Sequence, residues 1–229
     1  MADRLNLVFD LDGTLIDSAP QIHAAANSVF ESIGLPAFSK ATVRGFIGNG
    51  VGVLVKRLMA HQGLETDPTL LADLVARFIS IYEEAFDLTT VYPGVYTAME
   101  ALAAAGHRLA ICTNKPEGPT HAVLQHFALD QFFAVIVGGD TLPQRKPDPA
   151  PLHAALARLG PAKALFVGDS EVDAATADAA KVPFALFTGG YRSAPAETLG
   201  AKVIFDHHDA LPRLVRHLSP RLRAAEPFL

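Results

Sequence analysis

The chain has 229 residues, half of them hydrophobic and 19% charged, with a formal net charge of −5. This composition supports a buried core and excludes intrinsic disorder, and the mixed charge excludes the basic face that a nucleic-acid binder needs. The single cysteine, Cys112, excludes an intrachain disulfide, and no stretch reaches the roughly 18 apolar residues of a membrane span.

Leu5–Phe9 is the first of a series of short apolar runs that continues with 109–112, 134–137, 164–167, 184–187 and 203–205. Each ends at a polar or glycine-rich turn, and none alternates with polar residues, as expected of strands covered on both faces. Helix-like stretches separate the later runs, which signals a parallel sheet with crossover helices. The long interval between Phe9 and Leu109 reads instead as almost entirely helical. Ser18 can cap a helix that places Ile22, Ala26, Val29, Phe30 and Ile33 on one face, with Gly34 as its stop. Asp67-Pro68 pairs a cap with a proline at the first helical position, and Leu70, Leu71, Leu74, Val75, Phe78, Ile79, Tyr82 and Phe86 follow at helical spacing. The fold class is therefore α/β, a doubly wound, Rossmann-like parallel sheet with a helical cap inserted after the first strand. The expected division is a core of residues 1–16 and 87–229 and a cap of residues 17–86. Arg213, Arg216, Arg221 and Arg223 read as the solvated side of a terminal helix.

The chemistry gathers at the ends of the strand-like runs. The first runs into Asp10-Leu11-Asp12-Gly13-Thr14-Leu15, placing two acids beside a glycine that lets backbone N–H groups approach an anion. The second runs into Thr113-Asn114-Lys115. After the third comes Arg145-Lys146-Pro147-Asp148-Pro149, where Pro147 holds Lys146 extended and Asp148 is expected to cap a helix ended by Gly160. The fourth ends in Gly168-Asp169-Ser170-Glu171-Val172-Asp173. Ligands of open parallel sheets bind beyond the carboxyl ends of the strands, so these turns share one crevice. Carboxylates crowded there repel one another unless a cation neutralises them, and an all-oxygen set suits Mg²⁺.

Asp10-Leu11-Asp12-Gly13-Thr14-Leu15, Thr113-Asn114, Lys146-Pro147 and Gly168-Asp169 with Asp173, in that order and spacing, resemble the haloacid dehalogenase-like phosphatases over nearly the whole chain. The resemblance implies that Asp10 attacks phosphorus to give a phospho-aspartate. It implies that Asp12 protonates the leaving alcohol and then activates water, and that Thr113, Asn114 and Lys146 hold the transferring oxygens. It also implies a Mg²⁺ ion on Asp10, the Asp12 carbonyl and Asp169, with Asp173 in support. A dehalogenase would lack the second acid, a sugar-phosphate mutase would keep it, and a non-catalytic scaffold would be expected to have lost an acid or the lysine.

Asp17-Ser18-Ala19-Pro20 and the cap segment Val43-Arg44-Gly45-Phe46-Ile47-Gly48-Asn49-Gly50 look like the phosphoglycolate phosphatase subgroup. On that resemblance, Arg44 would pair with a substrate carboxylate, while Gly13, Gly48, Asn49 and Asn114 would help enclose the substrate. One departure is Ala180-Lys181-Val182-Pro183, where the family usually has glycine in place of Lys181. The expected partner is a small phosphate ester, with no nucleic acid and no membrane. A monomer or homodimer in the cytoplasm is the expectation, as no apolar leader precedes Asp10.

Overall fold

The computed structural model of the protein describes residues 4–65, 67–83 and 86–222. The chain opens with strand β1 (Leu5–Phe9) and the two-residue strand β2 (Ile16–Asp17), then enters helices α1 (Ala19–Glu31), α2 (Lys40–Arg44), α3 (Val51–His61) and α4 (Pro68–Glu83). It returns through β3 (Thr90–Val91) to α5 (Val95–Ala104), β4 (Arg108–Cys112), α6 (Glu117–His126) and β5 (Phe133–Val137). Helix α7 (Ala150–Leu159), β6 (Lys163–Gly168), α8 (Glu171–Ala179), β7 (Phe184–Phe187), β8 (Val203–Phe205) and α9 (Leu211–Leu218) complete it.

Six of the strands form one parallel sheet in the order β5-β4-β1-β6-β7-β8. Both faces of β1 are covered, which is why its sequence does not alternate. Leu5, Leu7 and Phe9 pack with Met99, Leu102, Leu124 and Val215 on one side, and Val8 packs with Leu152, Leu156 and Phe166 on the other. Burying a side chain of this size stabilises the fold by about 1.5–3 kcal/mol. The winding reverses at β1, with β4 and β5 to one side and β6, β7 and β8 to the other. The carboxyl ends of β1, β4 and β6 thus border the switch-point crevice in which open α/β sheets bind ligands.

Helices α1, α3 and α4 build a second core from Val29, Phe30, Val55, Leu58, Leu74 and Phe78. The chain's two passages between these helices and the sheet lie side by side, because β2 pairs antiparallel with β3 through Ile16–Val91 and Asp17–Thr90.

Several local expectations need correction. Ser18 does stand at the N-cap of α1, but its hydroxyl makes no cap hydrogen bond and donates to Asp12 Oδ1 at 2.6 Å. Helix α7 begins one residue later than expected, with Pro149 at the cap and Asp148 accepting from the Ala150 N–H at 2.8 Å. Lys181 takes the left-handed conformation (φ 56°) that glycine would adopt freely, so the departure is accommodated with local strain. Arg213 and Arg216 are exposed on α9, a 3-10 turn covers Ser219–Arg221, and Arg223 lies outside the described residues.

Candidate active site

Asp10 follows β1 directly, and its backbone N–H continues the sheet by donating to the Val167 carbonyl at 2.9 Å. This fixes the carboxylate at the sheet's rim. Lys146 reaches it from the loop after β5, where a cis peptide joins it to Pro147. Its ammonium lies 2.9 Å from Asp10 Oδ1 and 2.6 Å from Asp173 Oδ1, with the lysine only 4% exposed. Asn114 braces the same loop by donating from Nδ2 to the Lys146 carbonyl at 2.9 Å.

The turn after β6 supplies two further acids. Ser170 and Asp173 form a reciprocal capping box at the start of α8. Asp173 Oδ2 accepts from the Asp169 and Ser170 N–H groups and from the Ser170 hydroxyl, while Oδ1 takes Lys146. Asp169 accepts from Thr14 Oγ1 at 2.8 Å and from the Tyr191 N–H at 2.6 Å. Glycine is required on both sides of that carboxylate. A Cβ at Gly13 (φ 89°) would stand 2.6 Å from Asp169 Oδ2, and one at Gly190 would stand 2.1 Å from it.

Asp10, Asp169 and Asp173 are all buried, and each offers an oxygen within 4.8 Å of the others. The Lys146 ammonium pairs with two of these three carboxylates, Asp10 and Asp173. Burial first, and then the charge of Asp173, push the Asp10 carboxyl up to about 7, with Lys146 offsetting part of the rise. Burial and the charges of Asp173 and Asp10 likewise hold Asp169 well above the usual carboxylate range. Burial alone would lower the Lys146 ammonium, but Asp10 and Asp173 outweigh it and raise it. The excess of buried negative charge and the all-oxygen donor set fit a divalent metal ion.

Asp12 is held apart from that cluster. Its Oδ1 receives the Ser18 hydroxyl at 2.6 Å and faces the Lys115 ammonium at 3.4 Å. Between the acids and the helical insertion lies a cavity of about 60 Å³. Asp10, Asp12, Thr113, Asn114 and Lys115 line its sheet side, and Ile47, Gly48, Leu54, Phe78 and Tyr82 line its helical side. The Lys115 N–H donates to Thr113 Oγ1 at 3.2 Å, which leaves the threonine's own proton for another acceptor. Asn114 Nδ2 also donates to the Gly48 carbonyl at 2.9 Å, tying insertion to sheet.

The expected residues are therefore brought together at the strand ends, but not throughout the insertion. Arg44 does not line the cavity. Its guanidinium donates to the Gly190 carbonyl at 2.5 Å and lies 5.4 Å from the centre of the Tyr191 ring. These acceptors draw its planar fork away from the position expected of a carboxylate reader. Asn49 is partly buried between Gly48 and Gly50 and does not line the cavity either. Two features went unread. Tyr82, expected as one more core residue at helical spacing, meets Lys115 through its hydroxyl. Tyr191 receives the Ser18 and Ala19 N–H groups on its hydroxyl at 2.8 and 3.0 Å. Only the position of Lys115 beside Thr113-Asn114 signalled it in the sequence.

Residues 7–187 match the haloacid dehalogenase-like hydrolase family. A phosphoglycolate phosphatase of Cereibacter sphaeroides (strain ATCC 17025) is 53% identical over 213 residues, covering 93% of this chain and 98% of that protein. One from Rhodobacter capsulatus is 41% identical, covering 91% and 95%. Among solved structures, a predicted phosphoglycolate phosphatase from Haemophilus somnus 129PT superposes with a TM-score of 0.88 at 32% identity, covering 94% of this chain and 99% of that one. A family match over most of the sequence, joined to relatives this similar over nine-tenths of it, means that the chain belongs to the haloacid dehalogenase-like hydrolases.

Proposed function

We propose that this protein is a Mg²⁺-dependent phosphatase that hydrolyses a small phosphate monoester, 2-phosphoglycolate, to glycolate and phosphate through a phospho-aspartate on Asp10. The observation that carries the reading is the buried set at the sheet's switch point: Asp10 paired with Lys146 at 2.9 Å, and Asp169 and Asp173 within reach of the same point. Residues 17–86 act as the cap over a core of residues 1–16 and 87–229. The relatives named as phosphoglycolate phosphatases support the substrate, and the helices that close over the acids favour a small ester.

Asp10 attacks phosphorus in line, forming an oxygen–phosphorus bond as the ester oxygen departs. Asp12 gives a proton to that oxygen. It then takes a proton from a water whose oxygen attacks the phospho-aspartate, releasing phosphate and restoring Asp10. The Ser18 hydroxyl holds Asp12 Oδ1 and so aims the second oxygen at the leaving group. Thr113, the Asn114 N–H and Lys146 hold the equatorial oxygens and offset their charge. Asp173 acts from behind, since both of its oxygens are already engaged in fixing Lys146 and the turn. Asp10, Asp169 and the Asp12 carbonyl would hold the metal, which supplies the charge that lets a dianionic phosphate approach an anionic nucleophile.

Phosphate release from a panel of small esters, with and without Mg²⁺, tests this reading. Turnover that requires Mg²⁺, with 2-phosphoglycolate ahead of the other esters, is expected. Turnover that survives chelation of all divalent metal would overturn the metal-dependent mechanism, and preference for a sugar phosphate would overturn the substrate.

A further inference from the structure

We propose that Lys115, presented by Tyr82 of the insertion, binds the carboxylate of the substrate and so sets a preference for phosphorylated acids over neutral phosphate esters. The inference rests on the phosphatase reading above and names the residue that gives it specificity.

Among the described residues that line the cavity, Lys115 is the only cation. The other basic groups nearby do not line it: Lys146 pairs with Asp10 and Asp173, Arg44 donates to the Gly190 carbonyl, and Arg145 donates from Nε to the Gly139 carbonyl at 2.6 Å. A lysine ammonium has three donors. In Lys115 one meets the Tyr82 hydroxyl and a second faces Asp12 at 3.4 Å, a long contact that a better acceptor can replace. Among the described residues the third has no hydrogen-bond partner. The ammonium lies 4.0 Å from the centre of the Tyr82 ring, so the ring as well as the hydroxyl holds it in place.

The rest of the wall makes this single charge selective. Ile22, Ile47, Leu54, Phe78 and Ile79 cover the space in front of it. A carboxylate entering among them loses its water and finds one compensating group, whereas a neutral substituent has little need of that group. Lys115 and Thr113 stand two residues apart on one loop, and both line the same cavity.

The test compares kcat and KM for 2-phosphoglycolate with those for 2-hydroxyethyl phosphate, in which a neutral CH₂OH replaces the carboxylate. Wild type and Lys115→Met are measured with Mg²⁺, alongside thermal melting. Lys115→Met should lower kcat/KM for 2-phosphoglycolate about 30-fold, chiefly through KM, and change the neutral ester less than about threefold. Lys115→Gln, which keeps a polar end in place of the charge, should lose the same preference and provides the readout if the Met variant does not fold. Tyr82→Phe should move the ratio in the same direction by about threefold. Equal losses on both esters, with wild type still preferring the acid, would overturn the role of Lys115 alone. A wild type without preference for the acid would overturn the substrate reading, and this inference with it.

Discussion

The cavity's two walls are built on opposite plans. The sheet side presents Asp10, Asp12 and Lys115, with Asp169, Asp173 and Lys146 buried around Asp10, whereas the helical side is Ile47, Leu54 and Phe78 with one tyrosine hydroxyl. Where the charged wall is strained by burial, the apolar wall is an ordinary core left open at one edge. The difference teaches that the charged groups come from the sheet and the apolar enclosure from the helices, with the Tyr82–Lys115 contact joining the two.

The largest expected effect breaks the charged wall at its centre. Asp10→Asn should lower phosphate release by at least about 10⁴-fold, as loss of a nucleophile does. Because it also removes one of three crowded carboxylates, the metal-free variant should melt no lower than wild type by calorimetry. A clear fall in melting temperature would show that the acids stabilise the fold, and the contrast between the walls would fail. Lys146→Met should act the other way, leaving Asp10 and Asp173 buried without their cation. A loss of about 3–5 kcal/mol is expected in urea unfolding, together with loss of turnover.

Arg44→Ala sharpens the description of the apolar side. It removes the link from α2 to the Gly190 carbonyl and touches nothing in the cavity. A fall in kcat/KM of about tenfold or less, equal for acidic and neutral esters, is expected. A loss confined to 2-phosphoglycolate would return Arg44 to the substrate and displace Lys115 from that role. The smallest effect lies outside both walls. Lys181→Gly should raise the denaturation midpoint by the equivalent of about 1 kcal/mol, because glycine takes the φ of 56° without strain.

The same division explains what could be read in the sequence. The strand β1 was legible to the residue, because two covered faces leave an unbroken apolar run that ends at Asp10. The positions of Asp12 and Asp169 were legible because each sits within a few residues of a strand end, and that of Lys146, farther along the loop after β5, because of the prolines beside it. Arg44 was not, since its acceptor lies 146 residues away and is a backbone carbonyl that no side-chain pattern marks. Tyr82 was read as core because its ring is core, and nothing in a helical repeat records that one hydroxyl reaches a lysine on another element. Ser18 was placed at the right position with the wrong bond. Its hydroxyl donates to the Asp12 carboxyl, an acceptor that the helical pattern does not mark.

The two-residue ladder between β2 and β3 has a consequence for how such a protein can be rebuilt. Because Asp17 and Thr90 are hydrogen-bonded neighbours, the long helical excursion leaves the sheet and rejoins it at the same spot. Neither β1 nor β4 depends on what fills the loop, since they pair with each other directly. The excursion behaves as a cassette with adjacent ends, the arrangement in which one domain inserts into another at little cost. A different cassette carried on the same two-residue ladder would meet the same acids with a different wall.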